Sequence, residues 1–271
     1  MYRVVILAIG NELLIGETLD TNTNWLCRQF TALGFQVVGC LMLPDKMDVI
    51  SSIVRKIVDR DLTSMLADLI IITGGLGPTD DDLTLAAIAQ ALDLPLKMDE
   101  TAYQWIKEKY SDLARESFVS KEEMNPARDK MAILPTDATP IKNPVGVAPA
   151  IMLTYKNTTI ISLPGVPQEM KGFVLGPVQS ILSELFGVGT YLEEELWAVC
   201  GDESILAPIL GQVSRSNPEV YIKSKAKGFG ANLRFQIKLH ASGQVDVKHL
   251  LKAARNDLEQ ALNQNHIKVE Y

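Results

Sequence analysis

The stretch Gly74-Gly75-Leu76-Gly77-Pro78-Thr79-Asp80-Asp81-Asp82 concentrates the chemistry that this sequence can spell. Glycines let a backbone approach a ligand closely, and amide N–H groups at a helix start are ready donors to an anion, so Gly74, Gly75, Gly77 and Thr79 form an expected cradle for phosphate. No Lys or Arg lies between 73 and 82, which excludes a P-loop of the GxxxxGK[ST] kind. Consecutive carboxylates stand instead where the anion would arrive. Like charges repel strongly outside bulk water, so phosphate fits there only with a divalent cation between, and Asp81 and Asp82 are the expected ligands of a magnesium-type ion. Capping and the macrodipole also favour an Asp at a helix start, by about 0.3–1 kcal/mol each, and that ordinary role accounts for one of the triplet.

Other segments share this character. Gly10-Asn11-Glu12-Leu13-Leu14-Ile15-Gly16, with Asp20 and Asn22 beyond it, and Pro44-Asp45 each follow a strand-like run. So do Asn143-Pro144-Val145-Gly146-Val147-Ala148-Pro149 and Leu163-Pro164-Gly165-Val166-Pro167-Gln168-Glu169-Met170. Asn11, Asn143, Gly146 and Gly165 are expected substrate contacts, and Asp45 and Asp20 join the expected metal set. Glu12 and Glu169 are candidates for orienting a water, because His240, His249 and His266 all lie in the last part of the chain. Glu12 and Asp20 read equally as loop or cap residues, and Glu169 as an acid in an ordinary Pro-started helical turn.

The elements that must position these loops follow from hydrophobic periodicity. Residues 4 to 9 (VVILAI) and 67 to 73 (ADLIIIT) suit strands buried on both faces, and 35 to 43 reads as another strand. Asn22 or Thr23 can cap a helix carrying Leu26, Phe30 and Leu33 and ended by Gly34. Ile50, Ile53, Val54 and Ile57 mark a second helix, and Leu85, Ile88, Ala89 and Leu92 a third. This β-α-β-α-β-α order predicts a parallel sheet with right-handed crossovers, with ligands beyond the carboxyl ends of its strands. Residues 99 to 118 read as a polar helix, 131 to 164 as an irregular strand-like segment broken by Pro135, Pro140, Pro144 and Pro149, and 167 to 186 as a helix bent at Gly176 and Pro177. From 187 the pattern becomes strand 192 to 200, helix 203 to 213, strand 219 to 225, strand 231 to 240 and helix 246 to 263, a βαββα order that predicts a small α+β domain.

A chain of 271 residues accommodates such a larger domain and a smaller one. Its net charge of -7, from 26 basic and 33 acidic residues, gives no global attraction to nucleic acid or anionic membrane. No apolar run approaches the roughly 18 residues of a membrane span. The start MYRVVILAIGNELLIG turns polar where a signal peptide would continue, so a cytoplasmic protein is expected. Cys27, Cys40 and Cys200, odd in number and widely spaced, read as reduced structural thiols. The placement of the histidines speaks against a His/Cys zinc centre or a Ser-His-Asp triad in the N-terminal part.

Taken together, GNELLIGETLDTN, TGGLGPTDDDLT, NPVGVAP and LPGVPQEM, in this order over roughly residues 1 to 175, resemble the N-terminal domain of the CinA (competence/damage-inducible) family, within the wider molybdopterin-binding, MoCF-like fold. The resemblance implies a three-layer αβα domain over 1–175 that forms a homodimer, and a small KH-like domain over 187–271. It also implies a metal-dependent ADP-ribose pyrophosphatase that releases AMP and ribose 5-phosphate. In related molybdopterin-handling proteins the turn has the form TGGTG with a downstream Asp, matched here by Thr73, Gly74, Gly75, Gly77 and Asp82, while Asp45 matches a second acidic position. Ala150 stands where the family commonly ends its second glycine-rich segment in Gly, and Lys130-Met131-Ala132 replaces a Gln-Ala pair. The nicotinamide-nucleotide amidase domain of full-length CinA proteins lies beyond this sequence, so deamidation is not expected. The C-terminal segment lacks a GxxG loop, and Lys223, Lys225 and Lys227 read as a solvated strand face, so nucleic-acid binding is not expected either.

The leading expectation is therefore hydrolysis of a nucleotide-sugar pyrophosphate. Asp81 and Asp82, with Asp45 or Asp20, would hold Mg, Mn or Co, and the metal and Asp82 with Glu12 or Glu169 would activate water. An alternative is a module that binds molybdopterin through the same pocket without hydrolysis. Another is a dimeric interaction scaffold.

Overall fold

An apolar run without polar alternation needs cover on both faces, and Arg3–Ile9 (β1) finds it, being buried from Val4 to Ile9. Each fully buried Val, Leu or Ile of this kind contributes about 1.5–3 kcal/mol relative to exposure. The protein is described by a computed structural model covering residues 2–187, 190–228, 233–243 and 246–270. After β1 come a short helix Asn11–Leu14 (α1), helix Thr21–Ala32 (α2), strand Gln36–Leu43 (β2), helix Met47–Val58 (α3), a 3-10 turn Thr63–Met65, strand Leu69–Thr73 (β3) and helix Thr84–Leu92 (α4). Then follow Leu96–Met98 (β4), helices Glu100–Arg115 (α5) and Pro126–Lys130 (α6), and strands Ile133–Pro135 (β5), Thr139–Ile141 (β6), Ala150–Tyr155 (β7) and Thr158–Leu163 (β8). Helix Pro167–Phe173 (α7), a π-helical turn Val174–Val178 and helix Gln179–Phe186 (α8) complete this unit.

The strands form one sheet in the order β2-β1-β3-β8-β7-β6, in which β2, β1, β3 and β8 pair in parallel, β7 pairs antiparallel with β8, and β6 pairs antiparallel with β7. Pairing of Ile9 with Leu43, Ala8 with Thr73 and Thr73 with Leu163 brings the carboxyl ends of the parallel strands to one level. Helices α3 and α4 cover the sheet with Ile50, Val54, Ile57, Ile88 and Leu92, which share a cluster with Val5, Leu7, Ile70 and Ile72. The segment expected to be irregular, 131 to 164, resolves into β5, paired with β4 in a separate two-stranded ribbon, and into β6, β7 and β8 of the main sheet. Pro140 sits on β6, at the edge, where a missing N–H costs no ladder bond. The bend expected at Gly176-Pro177 is the π-helical turn, with Gly176 at φ −117° and ψ −111°.

A second compact unit holds the described residues after Gly187 together with Thr31–Phe35. Its strands Thr190–Val199 (β9), Tyr221–Lys227 (β10), Arg234–Gly243 (β11) and Lys268–Glu270 (β12) make an antiparallel sheet ordered β10-β11-β9-β12. Helices Glu203–Ser216 (α9) and Val247–Gln264 (α10) bury Leu206, Val213, Leu251 and Leu258 against Leu196, Phe235, Ile237 and Leu239. The βαββα order is as expected, with β12 added at the end. Three residues without an apolar run carry no periodic signal, so β12 was not legible. The start expected for β11, at 231, lies outside the described residues. Among the described residues no helix is long and apolar enough to cross a membrane.

Candidate functional site

The loops that leave the parallel strands converge on one cleft of about 530 Å3, within the roughly 300–1,000 Å3 usual for small-molecule sites. Ile9 at the end of β1 and Gly10 after it, Asp45 after β2, the turn Gly74 to Pro78 after β3, and Pro164 to Val166 after β8 all line it. Gly146, Val147 and Ala148 from the β6–β7 loop, Glu169 on α7, Tyr110 on α5 and Met131 close its other sides.

The glycine turn is built to expose its backbone. Gly74 has φ +98°, and a Cβ there would collide with the Ile9 carbonyl oxygen, so only glycine fits. Its N–H donates to the Leu163 carbonyl at 3.0 Å, which anchors the turn to β8. The N–H groups of Gly75, Leu76 and Gly77, which line the cleft, then find no acceptor among the described residues. Successive free amides facing a concavity make an anion-binding nest.

Thr79 closes the far side of this loop. Its N–H donates to Asp82 Oδ2 at 2.9 Å, its hydroxyl lies 2.6 Å from the same oxygen and also contacts Asp81 Oδ1, and its carbonyl accepts from Lys130 Nζ. One hydroxyl proton thus serves two carboxylates, and only one accepts it at a time. The Thr79 hydroxyl, then a backbone N–H, and more weakly the Lys130 charge hold the Asp81 carboxyl below its ordinary range. Asp45 turns Oδ2 to the Asn11 N–H at 2.7 Å.

Opposite the turn, Asn143 uses all of its amide. Oδ1 accepts from the N–H groups of Val145 (2.9 Å) and Gly146 (2.7 Å), while Nδ2 donates to the Ala148 carbonyl (2.8 Å) and Glu169 Oε2 (2.7 Å). A Cβ on Gly146 would meet the Glu169 carboxylate, so a side chain there would displace Glu169 from the Asn143 amide.

Most residues expected at the site are therefore gathered at one place. Glu12, Asp45, Asp81, Asp82 and Glu169 line the cleft, as do Gly74, Gly75, Gly77, Gly146 and Gly165. Asn11, Thr79 and Asn143 stand behind the lining and fix it through the bonds just described. Asp20, expected among the metal ligands, lies outside the lining: its Oδ1 accepts from the Thr23 N–H at 2.8 Å and caps α2. Asn22, expected as a cap, instead donates Nδ2 to the Gly165 carbonyl at 2.7 Å and so tethers the cleft wall to α2. Among the described residues no three His, Cys, Asp or Glu side chains form a metal-holding group.

Sequence reasoning missed the Leu76 amide and the walls supplied by Tyr110 and Met131. Ala102, Ile106 and Tyr110 recur at intervals of four along α5, a spacing that marks the inward face of the helix. Tyr110 carries the Arg128 guanidinium 3.6 Å from its ring centroid, so its ring is held from the side as well. The lining carries five carboxylates and no Lys or Arg.

A family described as a probable molybdopterin binding domain matches residues 5–182. The chain is 35% identical over 261 residues to a protein from Pyrobaculum arsenaticum, covering 95% of this chain and 93% of that one. It is 37% identical over 261 residues to a protein from Caldivirga maquilingensis, covering 94% and 95% respectively. Among solved structures, CinA from Thermoplasma acidophilum, described as a protein with unknown function, matches with a TM-score of 0.58 at 33% identity, over 66% of this chain and 98% of that one. These findings overturn the expectation of an ADP-ribose pyrophosphatase: the family spanning the cleft is one of molybdopterin binding, not of pyrophosphate hydrolysis. The water-activating roles expected of Asp82, Glu12 and Glu169 belonged to that reading.

Proposed function

This chain belongs to the molybdopterin-binding domain family, in its CinA-type branch, and on that premise we propose that its cleft binds a phosphate-bearing pterin, molybdopterin or a close analogue, without hydrolysing it. The observation that carries the reading is the run of unpaired N–H groups at Gly75, Leu76 and Gly77. In the free cleft only water can serve these donors, and an anionic oxygen arriving there makes charge-assisted bonds roughly twice as strong as neutral ones. Tyr110, Met131 and Val147 supply an apolar and aromatic side for a flat heterocycle.

The carboxylates of the cleft oppose an anionic ligand. At about 4 Å each carboxylate repels the anion by roughly 4 kcal/mol near a protein surface, so two of them roughly offset what three amide hydrogen bonds return. A divalent cation, Mg, Mn or Co, therefore belongs to the proposal. Magnesium is usually held by one or two carboxylates plus ligand phosphate and water rather than by an all-protein cage. Asp81 and Asp82 beside a phosphate nest, without a third grouped ligand among the described residues, suit that mode. Homodimeric assembly, implied by the resemblance, and a cytoplasmic setting complete the reading.

Isothermal titration with molybdopterin, and with a pterin lacking the phosphate, tests it. Saturable binding of the first that tightens with magnesium, and much weaker binding of the second, is expected. Equal binding of both, or of neither, would remove the phosphate nest from the account.

A further inference from the structure

Cys27 on α2 and Cys40 on β2 bring their sulfurs to 3.5 Å. Both are free thiols, Cys27 half-buried and Cys40 exposed. They lie 13 residues apart in sequence, so the fold and not a local turn makes them neighbours. A disulfide needs about 2.05 Å between sulfurs, with the Cβ atoms about 3.5–4.5 Å apart. Thiols already in contact have far less to travel to that geometry than distant cysteines do. Cys200, by contrast, donates its thiol to the Asp202 carbonyl at 3.5 Å and has no sulfur partner among the described residues.

We propose that Cys27 and Cys40 are an intramolecular disulfide site, closed by a low-molecular-weight disulfide oxidant. One cysteine, as thiolate, attacks the oxidant's S–S bond, forms a mixed disulfide and releases one small thiol. The second cysteine, as thiolate, attacks the protein sulfur of that mixed disulfide and displaces the other small thiol. Two S–H bonds of the protein are lost, one S–S bond forms, and two electrons and two protons leave on the reduced oxidant. Although the residue as a whole is exposed, partial desolvation of its sulfur beside α2, then the hydrogen bond with Cys27 and repulsion from a Cys27 thiolate, then the Asp20 carboxylate push the Cys40 thiol up to about 12. The pair is therefore reduced until an oxidant and a partner thiolate meet it, rather than self-activating like a catalytic thiol.

The consequence falls on the cleft. α2 carries Asn22, which holds the Gly165 carbonyl, and β2 leads into Asp45. A bond between the two elements clamps two walls of the cleft to each other and restricts the unfolded chain.

The full chain, folded and reduced, is treated with glutathione disulfide, its remaining thiols are alkylated, and it is digested with trypsin without reductant. Cleavage after Arg28 separates the two cysteines. The expected result is a joined peptide pair carrying Cys27 and Cys40, one free thiol remaining of three, and a Tm higher by roughly 6–12 °C than that of the reduced protein. Cys40→Ser is expected to leave Cys27 as a stable glutathione adduct. Three free thiols after exhaustive oxidation, separate adducts on Cys27 and Cys40, or a link through Cys200 would each overturn the proposal.

Discussion

Thr84, fully buried on α4, donates its hydroxyl to the carbonyl of Gly74 across 2.8 Å, and so holds from behind the turn whose amides face the cleft. The Gly75 position is pressed against the same hydroxyl, since a Cβ there would collide with Thr84 Oγ1. Thr84→Val keeps the shape but leaves a buried carbonyl unsatisfied, and is expected to cost about 1–3 kcal/mol of stability. Thr84→Ser retains the donor and is expected to recover most of that loss. Urea unfolding of the two variants side by side reads the difference, and equal losses would show that the bond carries no weight.

Gly74→Ala meets two penalties at once. A left-handed φ of +98° disfavours a side chain, and the new methyl would lie against the Ile9 carbonyl. The expected destabilisation is about 3 kcal/mol or more, placing it among the severe single substitutions. A variant that unfolds at the wild-type denaturant concentration would contradict the close approach of β1 and the turn.

Asp82→Asn preserves an oxygen that can accept from the Thr79 N–H and removes one charge from the cleft. Stability is expected to change by less than about 1 kcal/mol. Ligand affinity is expected to depend less on magnesium than in the wild type, because a carboxylate facing the anion is gone. Titrations at low and high magnesium check this, and an unchanged magnesium dependence would place the cation elsewhere.

Much of this architecture was legible because it is written locally. The runs 4 to 9 and 67 to 73 could only be two-sided buried strands, and TGGLGP could only be a turn with an open backbone. Orientation was not legible. Asp20 and Asp45 are both acids near a glycine loop, yet one caps α2 and the other reaches the cleft, and nothing in their neighbours' identities separates the two. The contact of Cys27 with Cys40 depends on how α2 lies on the sheet, and Tyr110 enters the cleft from a helix that reads as polar. The expectation of hydrolysis came from the family resemblance, and the acid cluster offered no check on it, because carboxylates that orient a ligand and carboxylates that activate water look alike in a sequence.

In the second unit, His240 lies between Tyr191 and Tyr221, with ring centroids 5.5 and 4.8 Å away. Burial lowers its pKa from 6.5, Glu193 opposes the shift and Lys238 adds to it. A depressed histidine binds its proton more weakly when folded, so stability is full above about pH 6.5 and falls as pH drops below it. His240→Phe removes that dependence. Between pH 7.5 and 5.5 the wild type is expected to lose more of its urea midpoint than the variant does, and parallel losses would assign the effect to other groups.

The phosphate nest is tested most directly by the backbone amide resonances of 15N-labelled protein titrated with molybdopterin in the presence of magnesium. The amides of Gly75, Leu76 and Gly77, unpaired in the free protein, are expected to show the largest downfield proton shifts, as donors that have gained a charged acceptor. Shifts that leave these residues unmoved at saturation, or that centre on another surface, would contradict the assignment of the cleft.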